Sequence, residues 1–434
     1  MMKKARLTGP ETTVTHGASR APDKSFRLSL FELGGALGDL GTLLPLSIAL
    51  ITLNHMSATS VFSVLGLAYV MVGLVYRLPV PVQPLKAVAA IAIAGNLSAS
   101  VISASGLVMA AFLLLLAWTG ATGRIAKLFP KAIIRGLQLG VGLILVRAGL
   151  ALVNKQQVIV GGGDESVAIA NLSIPSSWLL ALALGGVFVL FLRSKRVPAS
   201  VVLLGLGGLA GILWGSTIAL PSLRFGLSLP SVTAPGLGDI YAALILLVIP
   251  QIPLTLGNSV FATLDTARAY FGPRAARVTP RALLTTMGVA NLGAGLLGGM
   301  PVCHGSGGLT AHFRLGARTG GAALLLGATF LALALLLDGN VLPILSLVPY
   351  PALGVLVVFV GVQHSLLVRD LRGKEEISIA TVLAVVGLIT SNLAIGFASG
   401  LGLLALRGLL RGRRVAFRLT GETSAVSSLR KESP

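Results

Sequence analysis

The stretch that decides the fold is residues 77–86, Arg77-Leu78-Pro79-Val80-Pro81-Val82-Gln83-Pro84-Leu85-Lys86. Its three prolines hold the backbone extended and remove three amide donors, so the stretch cannot begin as a helix. The apolar run that follows, residues 87–94, predicts a short helix with Pro84 placed for its first turn and Lys86 close behind. We therefore expect half of a helix that is preceded by an extended segment.

The composition around this stretch is that of a membrane protein. Hydrophobic residues make up 54% of the 434 residues, charged residues make up 11%, and the mean hydropathy is +0.90. Long apolar runs recur from residue 31 to residue 410, which predicts a polytopic α-helical membrane protein. The net charge of +20 does not indicate a nucleic-acid partner, because the basic residues form short clusters between apolar runs.

Fourteen apolar segments are predicted, and their basic flanks orient them. The segments fall at about 31–53, 58–76, 79–97, 102–119, 133–153, 176–192, 199–220, 240–262, 282–298, 300–313, 319–337, 341–366, 377–391 and 393–410. With the amino terminus in the cytoplasm, the basic clusters between segments fall on the cytoplasmic side, in agreement with the positive-inside rule. Only Lys155 and Arg224 fall outside, while Lys86 and Arg147 lie within spans. We therefore expect fourteen spans with both termini in the cytoplasm.

A second break lies seven spans after the first, in span 10. It reads Gly298-Gly299-Met300-Pro301-Val302-Cys303-His304-Gly305-Ser306-Gly307-Gly308. Because seven is odd, the two halves run through the bilayer in opposite directions, and the half-helices of spans 3 and 10 begin near the midplane with facing N-termini. Non-helical backbone at that depth is tolerated only around an internal site. Each N-terminal helix end offers unpaired amides and about half a positive charge. Together with Lys86, the two ends predict an anion site.

Four motifs in chain order resemble the molybdate transporters within the sulfate permease superfamily. They are Gly38-Asp39-Leu40-Gly41-Thr42-Leu43-Leu44-Pro45, Pro81-Val82-Gln83-Pro84-Leu85-Lys86, Pro250-Gln251-Ile252-Pro253-Leu254-Thr255-Leu256-Gly257-Asn258-Ser259 and Met300-Pro301-Val302-Cys303-His304-Gly305-Ser306-Gly307-Gly308. The resemblance implies an all-α fold of fourteen spans arranged as a seven-plus-seven inverted repeat, shared with uracil permeases. It also implies that a core of spans 1–4 and 8–11 moves against a gate of spans 5–7 and 12–14, with the oxyanion bound between spans 3 and 10.

The chain divides into a transporter domain and two tails under this interpretation. Residues 1–28 are expected to form a disordered, basic cytoplasmic tail, and residues 29–410 the transmembrane domain, with repeats at about 31–220 and 240–410. Residues 411–434 form a short cytoplasmic tail. This tail is too short for the folded cytoplasmic regulatory (STAS) domain of many sulfate permeases.

The candidate substrate-binding residues lie in the two breaks and in span 8. They are Gln83, Lys86, His304, Ser306, Gly307, Gly308, Gln251 and Asn258. Lys86 is costly at the centre of a bilayer, so it either contacts the substrate or pairs permanently with Asp39. Gln83 either donates to the oxyanion or satisfies freed backbone carbonyls. His304 either donates to the anion, titrates during coupling, or stays neutral and bonded to backbone.

The remaining candidates also carry more than one interpretation each. The amides of residues 306–308 fit a nest around oxyanion oxygens, or their glycines serve packing alone. Gln251 and Asn258 are seven residues apart, hence on one helix face, where they line the site or brace the core. Asp39 would oppose a dianion, so we expect it to pair with Lys86, carry a proton, hold a cation, or make a structural hydrogen bond.

The sequence therefore predicts a secondary-active importer of molybdate that works by alternating access in a bacterial inner membrane. A sulfate transporter of the same superfamily and an anion channel are the alternatives. We do not expect an enzyme, because neighbouring Cys303 and His304 do not by themselves form a nucleophile–base pair. No cofactor or metal site is expected, and a single cysteine excludes a multi-cysteine metal site. A homodimer, and proton coupling through Asp39 or His304, are further hypotheses.

Overall fold

The computed structural model describes residues 26–126, 128–155, 158, 166–169, 172–194, 197–214, 226–230, 232, 234–336, 345, 347–390 and 392–410. The two tails predicted at 1–28 and 411–434 lie outside the described residues, apart from residues 26–28. All nine candidate site residues lie within the described part of the chain.

Helices of very different length alternate in the first half of the chain. They are α1 (Leu30–Ala36) with a 3₁₀ turn (Leu37–Asp39), α2 (Leu40–Leu53), α3 (Ala58–Tyr76), α4 (Lys86–Gly95), α5 (Ala99–Thr119), α6 (Thr122–Ala126), α7 (Lys131–Val153), α8 (Ser176–Phe191) and α9 (Ala199–Trp214). Strand β1 (Gln83–Pro84) precedes α4, and β2 (Ser166–Ile169) pairs antiparallel with β3 (Leu172–Pro175) ahead of α8.

The second half of the chain repeats the pattern of long helices with one break. It contains α10 (Leu237–Ala242), α11 (Ile249–Leu254), α12 (Thr263–Phe271), α13 (Pro280–Leu296), α14 (Ser306–Arg314), α15 (Gly321–Leu336), α16 (Tyr350–Ser365), α17 (Lys374–Ile389) and α18 (Leu393–Leu410). Strand β4 (Val302–Cys303) precedes α14. 3₁₀ turns follow α12 (Gly272–Arg277) and α16 (Leu366–Asp370).

The predicted break in the third apolar segment is confirmed. Helix α3 ends at Tyr76, and the left-handed backbone of its C-cap residue Arg77 (φ 54°) turns the chain into the proline-rich stretch. That stretch stays extended until α4 begins at Lys86. The prediction that Pro84 lies in the first turn was wrong. Pro84 lies instead in strand β1, opposite Val302 of strand β4, and Leu85 is the N-cap residue of α4.

One long helical stretch, residues 237–271, is widened twice. π segments at Ala243–Val248 and Thr255–Ala262 separate α10, α11 and α12. Pro250 and Pro253 lie in α11 between them, and each proline lacks the amide that an α-helix would use. Wider turns of this kind accommodate such a disruption and often mark functional sites.

Six helical stretches among the described residues are long and apolar enough to cross a membrane. They are Leu30–Leu53, Ala58–Tyr76, Ala99–Thr119, Lys131–Val153, Leu237–Arg277 and Tyr350–Asp370. The mostly helical membrane fold is therefore confirmed. The other apolar helices, such as α4 and α15, are shorter, so the count of fourteen spans and the inverted repeat stay predictions.

The helices pack as two groups. In the first, α3 packs against α15 and α5 against α13, while in the second α7 packs against α16 and α17, and α16 against α8. The contact of α7 with α16 is close because two glycines meet there. A Cβ added to Gly142 would lie 2.5 Å from the carbonyl oxygen of Gly361, so a larger residue would force the two helices apart.

Candidate functional site

The two breaks are joined to each other by backbone pairing. β1 and β4 are antiparallel, with Gln83 opposite Cys303 and Pro84 opposite Val302, and the Leu85 amide donates to the Pro301 carbonyl at 3.0 Å. Each strand leads into its half-helix, so the antiparallel pairing sends α4 and α14 away from a common point in opposite directions. Their N-terminal ends therefore lie on either side of the strand pair, which the sequence did not predict.

The prolines leave carbonyl oxygens without helical partners, and two histidines satisfy them. His304 Nδ1 donates to the Pro81 carbonyl at 3.0 Å, and His312 Nδ1 donates to the Pro79 carbonyl at 2.9 Å. A carbonyl only accepts, so each Nδ1 carries a hydrogen. The second break, with His304, and the half-helix α14 that follows it, with His312, thus supply the donors that the first break lacks.

His304 uses its other ring nitrogen as well. Nε2 lies 2.8 Å from the hydroxyl of Thr286, and that hydroxyl lies 2.6 Å from the Tyr76 hydroxyl. A neutral His304 accepts at Nε2 if the Thr286 hydroxyl donates to it and accepts from Tyr76; the Ala282 carbonyl, 3.0 Å from the same hydroxyl, is a second acceptor for the Thr286 hydrogen. Of the interpretations that the sequence left open, this geometry favours a neutral histidine that holds the break together.

Asn291 fixes strand β4 from the side. Its side chain accepts from the Val302 amide at 3.0 Å and donates to the Val302 carbonyl at 2.7 Å. Both groups are buried, so they depend on this one side chain for partners. Asn291 was not among the residues predicted from the sequence, because it lies in the middle of an ordinary helical pattern.

An Asn291→Leu variant should therefore be markedly less stable. Both backbone groups of Val302 would lose their partner in a buried place, at about 1–3 kcal/mol each. We expect a lower midpoint of thermal unfolding for the purified protein in detergent. Leu292→Ala, at the neighbouring exposed position, is the matched control. An unfolding midpoint equal to that of the native protein would contradict the role of Asn291.

Gln83 bridges the two charged residues that the sequence suggested as a pair. Its Nε2 donates to Asp39 Oδ1, and its Oε1 accepts from Lys86 Nζ at 2.9 Å. Among the described residues, the ion pairs within 4.0 Å are those of Asp370 with Lys131 and Arg135, so Lys86 and Asp39 are linked through Gln83 and not directly. This arrangement leaves Lys86 held at one side by a neutral partner.

Asp39 keeps one oxygen unused. Its side chain is buried at the end of the 3₁₀ turn after α1, and Oδ2 has no hydrogen-bond partner among the described residues. Gly308 lies against this oxygen. A Cβ at position 308 would lie 2.6 Å from both Asp39 Oδ2 and Gln83 Nε2, so any larger residue would displace these two groups.

The N-terminal ends of the two half-helices are capped differently. The Ala87 amide of α4 donates to Gln251 Oε1 at 2.9 Å, and Gln251 Nε2 donates to Thr255 at 3.0 Å. α14 has Gly305 at its N-cap and no side-chain cap. In the described part of the chain no hydrogen bond uses the amides of residues 306–308, which a helix start leaves free.

Asn258 belongs to the α14 end of the site. Its Oδ1 accepts from the Ser306 hydroxyl at 2.9 Å. Gln251 therefore reaches α4 and Asn258 reaches α14, although both side chains line one cavity. The single helix face expected from a seven-residue spacing is modified here, because the π segment Thr255–Ala262 begins between them.

A small cavity, called the central cavity below, lies between the half-helix ends and the second group of helices. Its volume is about 20 Å³, and it is lined by Lys86, Gln138, Gln251, Leu254, Asn258, Ser259, Cys303 and His364. This room suits about one water molecule, so a four-oxygen anion requires the walls to separate. Of the predicted residues, Lys86, Gln251 and Asn258 line it, and the others do not: Gln83, Asp39, His304, Ser306, Gly307 and Gly308.

Gln138 and His364 were missed by the sequence analysis. Gln138 lies in α7 and His364 near the end of α16, both in segments that gave no break. The signal that pointed to Gln251, one polar residue in an apolar helix, applies equally to these two. It went unused because no proline or glycine motif accompanied it.

Two larger cavities lie at opposite ends of the half-helices. One of about 800 Å³ is lined by Gly307, Thr310 and Arg314 of α14 together with Arg193. The other, of about 490 Å³, is lined by the end of α4 at Ala94 together with residues Arg147 and Lys155. Each half-helix thus extends from the shared centre toward a different cavity, and each cavity has basic side chains in its wall.

Known proteins resemble this chain over nearly its whole length. A family model described as "Molybdate transporter of MFS superfamily" matches residues 31–145 and 243–363. "Molybdate transporter 2" of Arabidopsis thaliana is 30% identical, with 92% of each chain covered, and "Molybdate transporter 1" of Chlamydomonas reinhardtii is 30% identical over 88% of this chain and 92% of its own. The transmembrane domain of a cyanobacterium bicarbonate transporter, BicA, superposes with a TM-score of 0.63 at 18% identity, covering 86% of this chain and 98% of that one.

Proposed function

Because the chain belongs to the molybdate transporter family, we propose that it is a secondary-active importer that carries molybdate across a membrane by alternating access. The family consists of transporters and not of enzymes. The proposal places the anion between the N-terminal ends of α4 and α14. A bacterial inner membrane with both termini in the cytoplasm is part of the same proposal.

The observation that carries the proposal is the antiparallel meeting of the two breaks beside Lys86. Two helix starts direct free amides toward one region, and each contributes about half a positive charge. An oxyanion needs donors on several sides to replace its water, and amides, a lysine and amide side chains provide them. Gln83 and Gln251 orient these donors, since they fix Lys86 and the start of α4.

The cavities support alternating access. The central cavity is too small for the anion, whereas the cavities at the two ends of the half-helices are large. Basic side chains in their walls raise the local concentration of an anion. In the topology proposed from the basic clusters, Arg193 and Arg314 face the cytoplasm and Lys155 faces the outside.

Helix packing supports the seven-plus-seven repeat. If α3 is span 2 and α15 span 11, the repeat converts this pair into spans 9 and 4, which are α13 and α5 and pack together. It likewise converts the pair of α7 and α17 into α16 and α8, which also pack together. These pairs agree with a core of spans 1–4 and 8–11 and a gate of spans 5–7 and 12–14, within a domain of residues 29–410.

Uptake of labelled molybdate by vesicles that contain the purified chain tests the function. We expect saturable uptake that excess unlabelled molybdate abolishes and equal sulfate reduces much less, with protein-free vesicles as the control. Equal suppression by sulfate would assign the chain to sulfate transport. Single-channel currents without saturation would indicate a channel, and uptake of neither anion would refute the proposal.

A further inference from the structure

The wall of the central cavity opposite the half-helices carries two polar side chains without an assigned role. Gln138 comes from α7 and His364 from α16, and these two helices pack tightly against each other. Lys86, Gln251 and Asn258 occupy the other wall. Once the walls have separated enough to admit an anion, an anion that bridges them contacts Lys86 on one side and Gln138 and His364 on the other.

Gln138 is oriented by a neighbouring arginine. Arg135 Nη1 donates to Gln138 Oε1 at 2.7 Å, and the same guanidinium donates from Nε to Asp370 Oδ1 at 2.8 Å and from Nη2 to Asp370 Oδ2 at 2.5 Å. A guanidinium only donates, so the oxygen of the Gln138 amide must face it. The amide nitrogen Nε2 is then at the other corner, and it makes no hydrogen bond with any described residue.

His364 has one ring nitrogen committed and one free. Nδ1 lies 3.0 Å from the Val360 carbonyl, so Nδ1 carries a hydrogen. Nε2 has no hydrogen-bond partner among the described residues, and the ring borders the cavity. In the neutral ring Nε2 offers only a lone pair, which repels an oxyanion. It can donate to the anion only after it takes up a second proton.

The charges around His364 make the protonation of its Nε2 depend on whether the anion is bound. The ionisable groups of the elements around it are Lys86 on α4, Cys303 on β4, Asp39 next to Gln83, Lys131, Arg135 and Arg147 on α7, and Arg369 and Asp370 in the turn after α16. Helices α2, α8 and α9, which also pack against α16, carry no ionisable side chain. Without an anion, the positive charge of Lys86 disfavours a second positive charge on His364. A bound dianion favours that second charge.

We propose that Nε2 of Gln138 and Nε2 of His364 complete the anion site, and that His364 takes up one proton as the dianion binds. The proton adds to the lone pair of Nε2, and the new N–H donates to an anion oxygen. The proton leaves when the anion leaves, so the two are carried together. This inference rests on the proposed function, because it requires a tetrahedral dianion next to Lys86.

Calorimetry of anion binding to the purified full-length chain tests the inference directly. Molybdate is titrated at about pH 7.5 in two buffers of different ionisation enthalpy, and the difference in heat counts the protons that are taken up. We expect about one proton per anion for the native chain and none for His364→Gln. Between about pH 7 and pH 8, the native Kd should rise by up to about tenfold, while that of His364→Gln should stay nearly constant.

Two further variants separate the contributions. His364→Lys supplies a permanent cation, so it should bind without proton uptake, and it serves the same test if His364→Gln does not fold. Gln138→Leu should bind about three- to tenfold more weakly with the proton count unchanged. His16→Gln, in the amino-terminal segment outside the described residues, is the matched histidine control.

The outcomes distinguish this inference from the function on which it rests. If the native chain binds no molybdate, the proposed function fails. If the native chain binds molybdate without proton uptake, the function stands and the inference is overturned. Proton uptake that persists in both His364 variants would assign the proton to another group and would also overturn it.

Discussion

Replacement of Lys86 by alanine should abolish measurable molybdate uptake at low substrate concentration. Lys86 is the cation in the wall of the central cavity, and it is held there by Gln83 at 2.9 Å. A hydrogen bond to a charged group contributes about 1.5–3 kcal/mol, which corresponds to about a tenfold to 150-fold loss of affinity. The loss of half of a dianion's counter-charge should bring the effect to the upper end of that range.

The Lys86 result needs a control for expression and folding. Lys374→Ala removes a lysine that is exposed at the start of α17, and we expect it to bind and transport as the native chain does. Lys86→Arg keeps the charge but not the shape, and it should recover part of the affinity. Full transport by a well-folded Lys86→Ala protein would remove Lys86 from the site.

Gly308→Ala should be nearly as damaging, although it adds only one methyl group. That methyl would lie 2.6 Å from Asp39 Oδ2 and from Gln83 Nε2, far inside van der Waals contact. The two side chains would have to separate from α14, and Gln83 would release Lys86 as it moved. We expect molybdate binding to weaken by at least about tenfold, as measured by calorimetry, because a charged hydrogen bond loses its geometry.

Gly293→Ala is the matched control for this substitution. An added Cβ at Gly293 in α13 meets no atom within 4 Å, and alanine favours a helix more than glycine does. Its unfolding midpoint and its affinity should equal or exceed those of the native chain. Native affinity in Gly308→Ala would show that the contact between Asp39, Gln83 and α14 can relax without consequence.

Both breaks could be predicted because they depend on local chemistry. Prolines at 79, 81 and 84 exclude a helix wherever the chain goes, and the glycines and proline of 298–308 act in the same way. The helix predicted at residues 87–94 is α4, which extends one residue further at each end, whereas the start of α14 at Ser306 falls inside the predicted break. Pro84 was misplaced because its partner, Val302, is distant in sequence, and only the folded chain brings a strand there.

The contacts across the site could not be predicted, because they depend on distances between separate spans. Sequence alone suggested a direct pair of Asp39 and Lys86, whereas Gln83 lies between them and satisfies both. It also left His304 with three interpretations, and the choice depends on Thr286 and Pro81, one from each side of the ring. Opposite charges in apolar segments indicate a shared site, but not which atom touches which.

The pairing of β1 with β4 also determines when the site can form as the chain folds. Cys303 and Pro84 are 219 positions apart, so the loop between them holds half of the protein. Contacts of such long range form late, since closing the loop costs entropy before the contact repays it. Until the second half has been inserted, the carbonyls of the proline-rich stretch have no histidines to bond with. A chain interrupted before residue 300 would therefore lack the segment that stabilises its membrane-embedded first half. We expect quality-control proteases to degrade such a chain.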